Sequence, residues 1–316
     1  MVRARIIGTG SYTPKKILSN CDLEKMIDTS DEWITERTGI KERRIAADGE
    51  TTSDMAAKAG KRALEMAGIG PDEIDTIIVA TVTPDMDFPS TACFVQHKLK
   101  AHKAASFDIA AACSGFIYAL SVGDSLIRSG NSRHVLVIGS EIFSRITDWT
   151  DRNTCVLFGD GAGAALLGKG TGEKGIISTH IHSEGSSWKL LCASSHEENA
   201  KTFIRMQGNE VFKVAVRALE EVAIEALEQN DLTGDDIDWF IPHQANERII
   251  QATAKRLNVP MEKVYMNLQR YGNTSAASIP LAFDEAVRNG KIKDGNLILF
   301  DAFGGGFTWA SALVRW

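Results

Sequence analysis

Apolar and polar stretches alternate along the chain in a way that predicts short buried strands separated by amphipathic helices. The uninterrupted apolar run Thr76–Ala80 has the length of a strand, and a helical apolar period precedes it at 54–67. The same order of elements returns at 211–228 and 239–241. Strands that alternate with helices favour parallel sheets whose faces the helices cover. The pattern therefore predicts an α/β fold.

The two stretches are parts of an internal repeat. Ile74 and Ile237 hold equivalent places in the two helix–strand segments and are 163 positions apart. A second pair of apolar strands, at 134–139 and 296–301, is offset by 162 positions. Two separate pairs with nearly the same offset indicate duplicated halves. Stacked on each other, such halves give a five-layered α–β–α–β–α body.

The repeat also predicts the domain organisation. We expect an N-terminal half at 1–170 and a C-terminal half at 171–316. The segment 168–201 is rich in Gly, Ser and His and has no evident counterpart in the first half. We interpret this segment as an insertion or a connection between the halves.

Composition excludes several classes of function. The 316 residues are 44% hydrophobic and 24% charged, which is typical of a globular protein. The net charge of −6 argues against nucleic acid as the main partner. The sequence has no run of about 18 apolar residues, so we expect no membrane span. Five cysteines without a CxxC pair, and an N-terminus that reads as a strand, predict a reduced, cytoplasmic chain. His180 and His182 lack a third ligand at metal spacing, so no metal is expected.

Candidate chemistry centres on Cys113. This residue lies among small residues between a strand-like run at 106–109 and a helix-like run at 116–128. A thiol at the start of a helix faces the positive end of the helix dipole, which favours the thiolate. We therefore expect a nucleophile with a lowered pKa. A buried structural cysteine explains this short motif equally well when the motif is taken alone.

The repeat points to two partners for Cys113. The strand at 239–241 is followed by His243, and Asn273 precedes a helix pattern at 275–288. Side chains at the carboxyl ends of parallel strands meet in one cleft. Taken singly, His243 fits a core histidine and Asn273 fits a turn or cap residue. Their equivalent places in the repeat make Cys113, His243 and Asn273 the candidate catalytic set.

Several motifs together resemble those of the thiolase-fold condensing enzymes, most closely the β-ketoacyl-[acyl-carrier-protein] synthase III family. The resemblance covers nearly the whole chain, and the Cys–His–Asn set in a chain of this length is similar to the initiating type. The matching segments are Gly8-Thr9-Gly10-Ser11-Tyr12, Asp31-Glu32-Trp33-Ile34, Arg37-Thr38-Gly39-Ile40, Cys113-Ser114-Gly115, Phe158-Gly159-Asp160-Gly161-Ala162-Gly163-Ala164, Pro242-His243-Gln244-Ala245-Asn246, Tyr271-Gly272-Asn273-Thr274-Ser275 and Phe303-Gly304-Gly305-Gly306-Phe307-Thr308-Trp309.

The resemblance implies a two-step reaction. An acyl primer, with acetyl expected, moves from acyl-CoA to Cys113, and decarboxylation of malonyl-acyl carrier protein then yields a carbanion that takes up the primer. His243 and the Asn273 amide would donate hydrogen bonds to the oxygen that becomes negative, and the N–H groups of Cys113 and Gly305 would form an oxyanion hole. The resemblance also implies a homodimer and no tightly bound cofactor.

Binding residues follow from the same resemblance and from local spacing. Trp33 and Arg37 are four positions apart on one helix face, where they can hold an adenine ring. Basic residues on the helix pattern at 247–257 can face an acidic carrier protein, and an ordinary solvated helix face explains them equally well. The expected CoA-binding residues are Thr29, Trp33, Arg37, Arg152, Gly208, Phe212 and Asn246. The expected acyl-pocket residues are Phe88, Phe143, Phe158 and Phe303. The resemblance implies that Phe88 reaches the pocket of the partner across a dimer interface. The expected carrier-protein residues are Lys213, Gln244, Arg248, Lys255 and Arg256.

Three other functions compete with this interpretation. A papain-like peptidase uses cysteine, histidine and asparagine in the same order, but the repeat and the lack of a secretory leader argue against it. A related condensing enzyme with another acyl-CoA or acceptor, such as a polyketide or signal-molecule starter synthase, stays open. A catalytically silent paralogue is disfavoured by the complete set of Cys113, His243 and Asn273.

Overall fold

The computed structural model describes residues 3–170, 172–193 and 202–316. Within these ranges, no helix is both long enough and apolar enough to cross a membrane. The strands are β1 (Arg3–Tyr12), β2 (Lys16–Ser19), β3 (Glu42–Ile45), β4 (Thr76–Ala80), β5 (Ala105–Ile109), β6 (His134–Ile142), β7 (Asp160–Gly170), β8 (Gly175–Ser183), β9 (Leu191–Ala193), β10 (Ile204–Met206), β11 (Trp239–Pro242), β12 (Leu297–Gly304) and β13 (Thr308–Arg315). The helices are α1 (Asn20–Leu23), α2 (Asp31–Thr38), α3 (Thr52–Ala67), α4 (Thr91–Leu99), α5 (Gly115–Arg128), α6 (Arg152–Cys155), α7 (Gly208–Glu228), α8 (Glu247–Arg256), α9 (Leu268–Tyr271) and α10 (Ser278–Arg288).

Two large sheets hold the molecule together. The first has the strand order β1-β7-β6-β4-β5 and the second has the order β11-β12-β13-β8. β4 runs parallel to β5 and β6, and β11 runs parallel to β12, whereas β7 and β13 run antiparallel to their neighbours. The sheets are therefore mixed, because β6 and β12 are each followed by a neighbouring strand that runs antiparallel, β7 and β13, and not by a crossover to a parallel strand. The prediction of fully parallel sheets is wrong in this respect.

The edge strand β8 corrects the interpretation of the segment that follows residue 168. β8 pairs antiparallel with β13 at the edge of the second sheet, as β1 pairs antiparallel with β7 at the edge of the first. Part of the supposed insertion is therefore the counterpart of β1. The polar residues that alternate along β8 made this strand unlike β1 in sequence, so the equivalence could not be predicted. The strands of the first sheet come from residues 3–170 and those of the second from 175–315, while the domain boundary at 170/171 stays a prediction.

Three apolar cores separate five layers. The central core lies between the two sheets and contains α5 and α10. A second core packs α3 against the outer face of the first sheet, and a third packs α7 and α8 against the outer face of the second. The predicted five-layered α–β–α–β–α fold is confirmed.

Two short 3-10 turns bring the chain into the central layer. Residues 112–114 link β5 to α5, and residues 275–277 precede α10. Each turn begins with a non-glycine residue in the left-handed region, with φ of 46° at Ala112 and 51° at Ser275. Such backbone conformations cost on the order of 1–3 kcal/mol and concentrate at functional sites. A side-chain carbon added at Gly115 would lie 3.5 Å from Ala276, so the two turns pack against each other.

Candidate active site

A cavity of about 1050 Å³ contains the three candidate catalytic residues. Cys113 lies in the turn before α5, His243 follows β11, and Asn273 follows α9. All three line the cavity, and each is less than 8% exposed. The structure therefore brings together the three side chains that the repeat indicated.

Burial sets the acidity of the Cys113 thiol. It raises the pKa of Cys113 to about 12, and the negative charge of Glu141 adds to the rise, although a hydrogen bond with Ser275 lowers it. The lowered pKa expected from the helix N-terminus is therefore wrong for the free enzyme. The reason is that the loss of hydration of a fully enclosed thiolate outweighs the helix dipole.

His243 is a neutral side chain held in a fixed orientation. Burial lowers its pKa to about 3, and its backbone N–H donates to the carbonyl of Asp301 at 2.8 Å. The ring nitrogen Nδ1 is 2.6 Å from Ser278 Oγ, which also accepts the N–H of Gln244 at 3.4 Å. Where Ser278 donates its proton to Nδ1, the neutral ring carries its hydrogen on Nε2. In that tautomer Nε2 can donate to a ligand in the cavity.

Backbone contacts fix the amide of Asn273. Its Oδ1 accepts the N–H of Ser275 at 2.8 Å. Its backbone N–H donates to Leu157 and its carbonyl accepts from Gly159, at 2.8 and 3.0 Å. With Oδ1 engaged, the Nδ2 hydrogens are the part of the amide that can serve a ligand in the cavity. Asn273 and His243 thus present two hydrogen-bond donors.

The glycine run at the end of β12, residues 304–306, lies close to the backbone of the nucleophile. A side-chain carbon at Gly304 would lie 2.6 Å from the backbone nitrogen of Cys113. Gly305 lines the cavity. Within the described ranges, neither the N–H of Cys113 nor that of Gly305 has a hydrogen-bond acceptor. Two unpaired amide donors beside a buried thiol can stabilise an oxyanion.

Two arginines lie over the ring of Trp33, a residue that lines the cavity. The guanidinium carbons of Arg37 and Arg152 are 4.7 and 4.8 Å from the centre of the Trp33 ring. Arg152 also donates to the carbonyl of Asp28 at 3.0 Å. Of the predicted CoA-binding residues, Trp33, Arg37, Gly208, Phe212 and Asn246 line the cavity, whereas Thr29 and Arg152 lie outside its lining. An aromatic base stacked on Trp33 would lie close to these guanidinium groups.

Comparison with known proteins identifies the family. The family model described as 3-oxoacyl-[acyl-carrier-protein (ACP)] synthase III matches residues 107–185, and the model of its C-terminal part matches residues 227–316. The β-ketoacyl-[acyl-carrier-protein] synthase III of Thioalkalivibrio sulfidiphilus is 56% identical over 100% of both chains. The chain belongs to the β-ketoacyl-[acyl-carrier-protein] synthase III family. It is an initiating condensing enzyme of fatty-acid synthesis, as the motifs predicted.

Solved structures of synthase III enzymes agree with this assignment. The crystal structure of 3-oxoacyl-[acyl-carrier-protein] synthase III from Aquifex aeolicus is 56% identical, with a TM-score of 0.95 over 99% of this chain and 100% of that one. The priming β-ketosynthase of the R1128 polyketide pathway is 39% identical, with a TM-score of 0.94 over 99% of this chain and 96% of that one. The papain-like peptidase is therefore excluded.

Aromatic rings line the inner part of the synthase III cavity. Phe143 and Phe158 stack with their ring centres 5.0 Å apart, and Phe303 lies 4.7 Å from Phe307. Phe143, Phe158 and Phe303 line the cavity, as predicted for the acyl pocket. Phe88 is 84% exposed and lies outside the cavity of its own chain. Its predicted place in an acyl pocket therefore requires a second subunit.

The predicted carrier-protein surface needs one correction. Gln244 is only 1% exposed, because its amide donates to the carbonyls of Pro242 and Tyr265 and accepts the N–H of Asn267. Placing Gln244 on a docking surface was wrong. The proximity of this residue to the end of β11 hid the fact that its side chain folds inward.

The basic members of that surface are exposed but differ in their pairing. Lys213 pairs with Glu210 at 2.9 Å, and Arg256 pairs with Glu220. Arg248 lines the cavity and lies over the Phe212 ring at 5.8 Å. Lys255 is exposed on α8 as well. Arg248 is thus the member that joins the outer surface to the cavity.

Sequence reasoning missed two polar residues that support the site. Ser278 contacts the His243 ring, and Glu141 is buried close to Cys113. Asn246, which was predicted only as a CoA contact, also caps α8 and donates to the carbonyl of Arg37 at 3.0 Å. Glu141 carried a signal, since a carboxylate next to an apolar strand is costly unless it is paired or used.

The described residues contain no group of three or more histidine, cysteine or acidic side chains that could hold a metal. His180 and His182 instead share the carboxylate of Glu225, at 3.3 and 2.6 Å.

Proposed function

We propose that this synthase moves an acyl primer from acyl-CoA to Cys113 and condenses it with malonyl-acyl carrier protein, giving 3-oxoacyl-carrier protein, CO₂ and CoA. The observation that carries the proposal is the meeting of a nucleophile, two neutral donors and two unpaired backbone N–H groups in one cavity. The Trp33–Arg37 pair near the end of this cavity supports CoA as the acyl donor.

Acyl transfer uses the nucleophile and the backbone donors. The sulfur of Cys113 attacks the thioester carbonyl, and the N–H groups of Cys113 and Gly305 stabilise the oxyanion that forms. Loss of one such donor typically lowers the rate about 10²–10³-fold. CoA leaves, and the acyl group stays on Cys113 as a thioester similar in energy to the substrate.

Decarboxylation uses the two side-chain donors. When malonyl-carrier protein loses CO₂, negative charge builds on its thioester oxygen. Nε2–H of His243 and Nδ2–H of Asn273 would donate to this oxygen. His243 suits the role because its lowered pKa keeps the ring neutral at physiological pH. The carbanion then attacks the acyl group on Cys113 and releases the sulfur.

Location, cofactors and partners belong to the same proposal. The five free cysteines support a cytoplasmic enzyme, and the chemistry needs no tightly bound cofactor. We also propose a homodimer, in which the exposed Phe88 would reach the acyl pocket of the partner. An acidic carrier protein would dock beside the cavity on the basic surface formed by Lys213, Arg248, Lys255 and Arg256.

The lining of the cavity bears on the identity of the primer. The aromatic lining by Phe143, Phe158 and Phe303 favours a short primer such as acetyl. Structural similarity to a polyketide priming ketosynthase supports one alternative, a starter synthase with another acyl-CoA. Mass spectrometry after incubation with single acyl-CoAs separates the two. An acetyl adduct on Cys113 supports the proposal, and adducts only from other acyl-CoAs support the alternative.

A second measurement tests condensation itself. The acetylated enzyme is mixed with malonyl-carrier protein, and released CO₂ and the 3-oxoacyl product are quantified. We expect both in equal amounts with the natural enzyme and neither product nor adduct with Cys113→Ala. Full-rate condensation by Cys113→Ala would refute the mechanism.

A further inference from the structure

The Cys113 proton needs an acceptor. Cys113 is a protonated thiol in the free enzyme, because burial raises its pKa to about 12. A thioester is attacked by thiolate, so the proton must leave as the acyl group arrives. His243 is a poor acceptor, since its pKa is lowered to about 3 and Ser278 occupies its other nitrogen. The proposed donor role of His243 also requires its hydrogen to stay on Nε2.

Glu141 is a buried carboxylate on the same side of the first sheet. Val135 and Val137 of β6 face the central core, whereas Leu136 and Ile138 face the outer one. Strand alternation therefore points Glu141 toward the central layer, where the two 3-10 turns lie. Glu141 is 0% exposed.

The partners of Glu141 are neutral donors. Its carboxylate accepts the hydroxyl of Thr81 at 3.1 Å, the N–H of Val82 at 3.1 Å, and both the N–H and the hydroxyl of Thr83, at 3.1 and 2.5 Å. No Lys or Arg in the described ranges forms an ion pair with it. The Glu141 charge in turn acts on Cys113, whose pKa it raises.

Ser275 belongs to a turn that packs against both β6, which carries Glu141, and the turn that carries Cys113. Its hydroxyl lowers the pKa of Cys113 and also that of Glu141 by hydrogen bonding. The side chain is 0% exposed, and its oxygen has no partner of full hydrogen-bond geometry in the described part of the chain. A buried hydroxyl without a fixed partner is free to rotate toward the thiol or toward the carboxylate.

We propose that Ser275 relays the Cys113 proton to Glu141 during acyl transfer. The S–H bond of Cys113 breaks, its proton goes to Ser275 Oγ, and the former Ser275 hydrogen goes to the Glu141 carboxylate. This inference rests on the proposed function, because it assigns the proton that the acyl transfer releases. Ser275 interacts with the Cys113 thiol, and Glu141 is the base that accepts the proton through Ser275.

The protons balance over the cycle. The departing CoA thiolate takes a proton from solvent, and Glu141 stays protonated while the acyl group is on Cys113. When the carbanion takes the acyl group, the released Cys113 thiolate recovers the proton from Glu141 through Ser275. Loss of the carboxylate charge also removes the repulsion that Glu141 exerts on the sulfur.

The pKa values of the two possible acceptors favour proton transfer to Glu141 over transfer to His243. Burial raises the pKa of Glu141 to about 7, partly offset by its donors, while that of His243 is about 3. A proton released into the site is therefore held far more strongly by Glu141. Because only the ionised carboxylate can accept it, the acylation rate should rise with pH and level off above about 7.

The test measures single-turnover acetylation of Cys113 by acetyl-CoA between pH 5.5 and 8.5. A general base typically contributes about 10²–10⁴-fold, so we expect Glu141→Gln to slow acetylation by that factor and to flatten its pH profile. Ser275→Ala and Ser275→Gly should slow it similarly, and Gly tolerates the positive φ. Asp160→Asn, which changes another buried carboxylate, should stay within about threefold.

Thr83→Val gives a readout that a purely structural role would not move. It removes one donor to the ionised carboxylate, so the pKa of Glu141 rises and the midpoint of the pH profile shifts to higher pH. Natural rates and an unshifted midpoint in Glu141→Gln, Ser275→Gly and Thr83→Val would overturn the relay. Acetylation of Cys113→Ala would instead overturn the proposed function, so the two failures are distinguishable.

Discussion

Gly304 controls the position of the nucleophile, and Gly304→Ala should show it. The added methyl carbon would lie 2.6 Å from the backbone nitrogen of Cys113, 3.1 Å from Ala112 Cβ and 3.2 Å from Cys113 Cβ. Ordinary contact begins at 3.4 Å, so the turn must retreat by about 0.8 Å. A misplacement near 1 Å costs roughly 10²-fold in rate, or about 2.7 kcal/mol of activation free energy.

Rapid-quench acetylation by acetyl-CoA, read by intact-protein mass spectrometry, measures this effect. We expect the rate to fall about 10²-fold while Tm falls by only about 2–6 °C, as overpacking by one methyl group costs about 1–3 kcal/mol. The matched control is Gly185→Ala, since a side-chain carbon there meets nothing within 4 Å. A natural acetylation rate in folded Gly304→Ala would show that the nucleophile does not depend on this contact.

Three further substitutions separate the steps of the reaction. Trp33→Ala should raise KM for acetyl-CoA about tenfold with little change in kcat, because stacking and cation–π contacts are lost; a normal KM would remove Trp33 from CoA binding. Asn273→Ala should slow CO₂ release about 10²–10³-fold but leave acetylation within threefold; equal losses in both would contradict its role. Arg248→Glu should raise KM for malonyl-carrier protein and spare acetylation, whereas Arg217→Glu, an exposed control on α7, should change neither.

The pattern of the chain predicted the places of the catalytic residues better than their state. Cys113 and His243 follow strands whose ends meet, and this follows from strand and helix periods alone. The acidity of Cys113 did not follow, because the helix dipole can be read from the sequence while the extent of burial cannot. Burial depends on the layers that close over the thiol from both halves.

Contacts between residues that are far apart in the sequence could not be predicted from the hydrophobic pattern either. The spacing of Trp33 and Arg37 predicted one arginine over the ring, but Arg152 reaches the same ring only through tertiary folding. Gln244 was misplaced for a related reason, since only the surrounding carbonyls of Pro242 and Tyr265 draw its amide inward. Local spacing predicts which residues share a helix face. It does not predict which residues from distant parts of the chain pack against that face.

The two residues with left-handed backbone conformation at the site, Ala112 and Ser275, hold equivalent positions in the internal repeat. Ala112 and Ser275 are 163 positions apart, the same interval that separates Ile74 from Ile237. The strained turn was therefore copied with the rest of an ancestral unit, and Ala276 now stands where its twin carries Cys113. The same turn therefore supplies a different group in each half, the sulfur of Cys113 in the first and the hydroxyl of Ser275 in the second. The two halves of the repeat thus contribute unlike chemistry to one central layer.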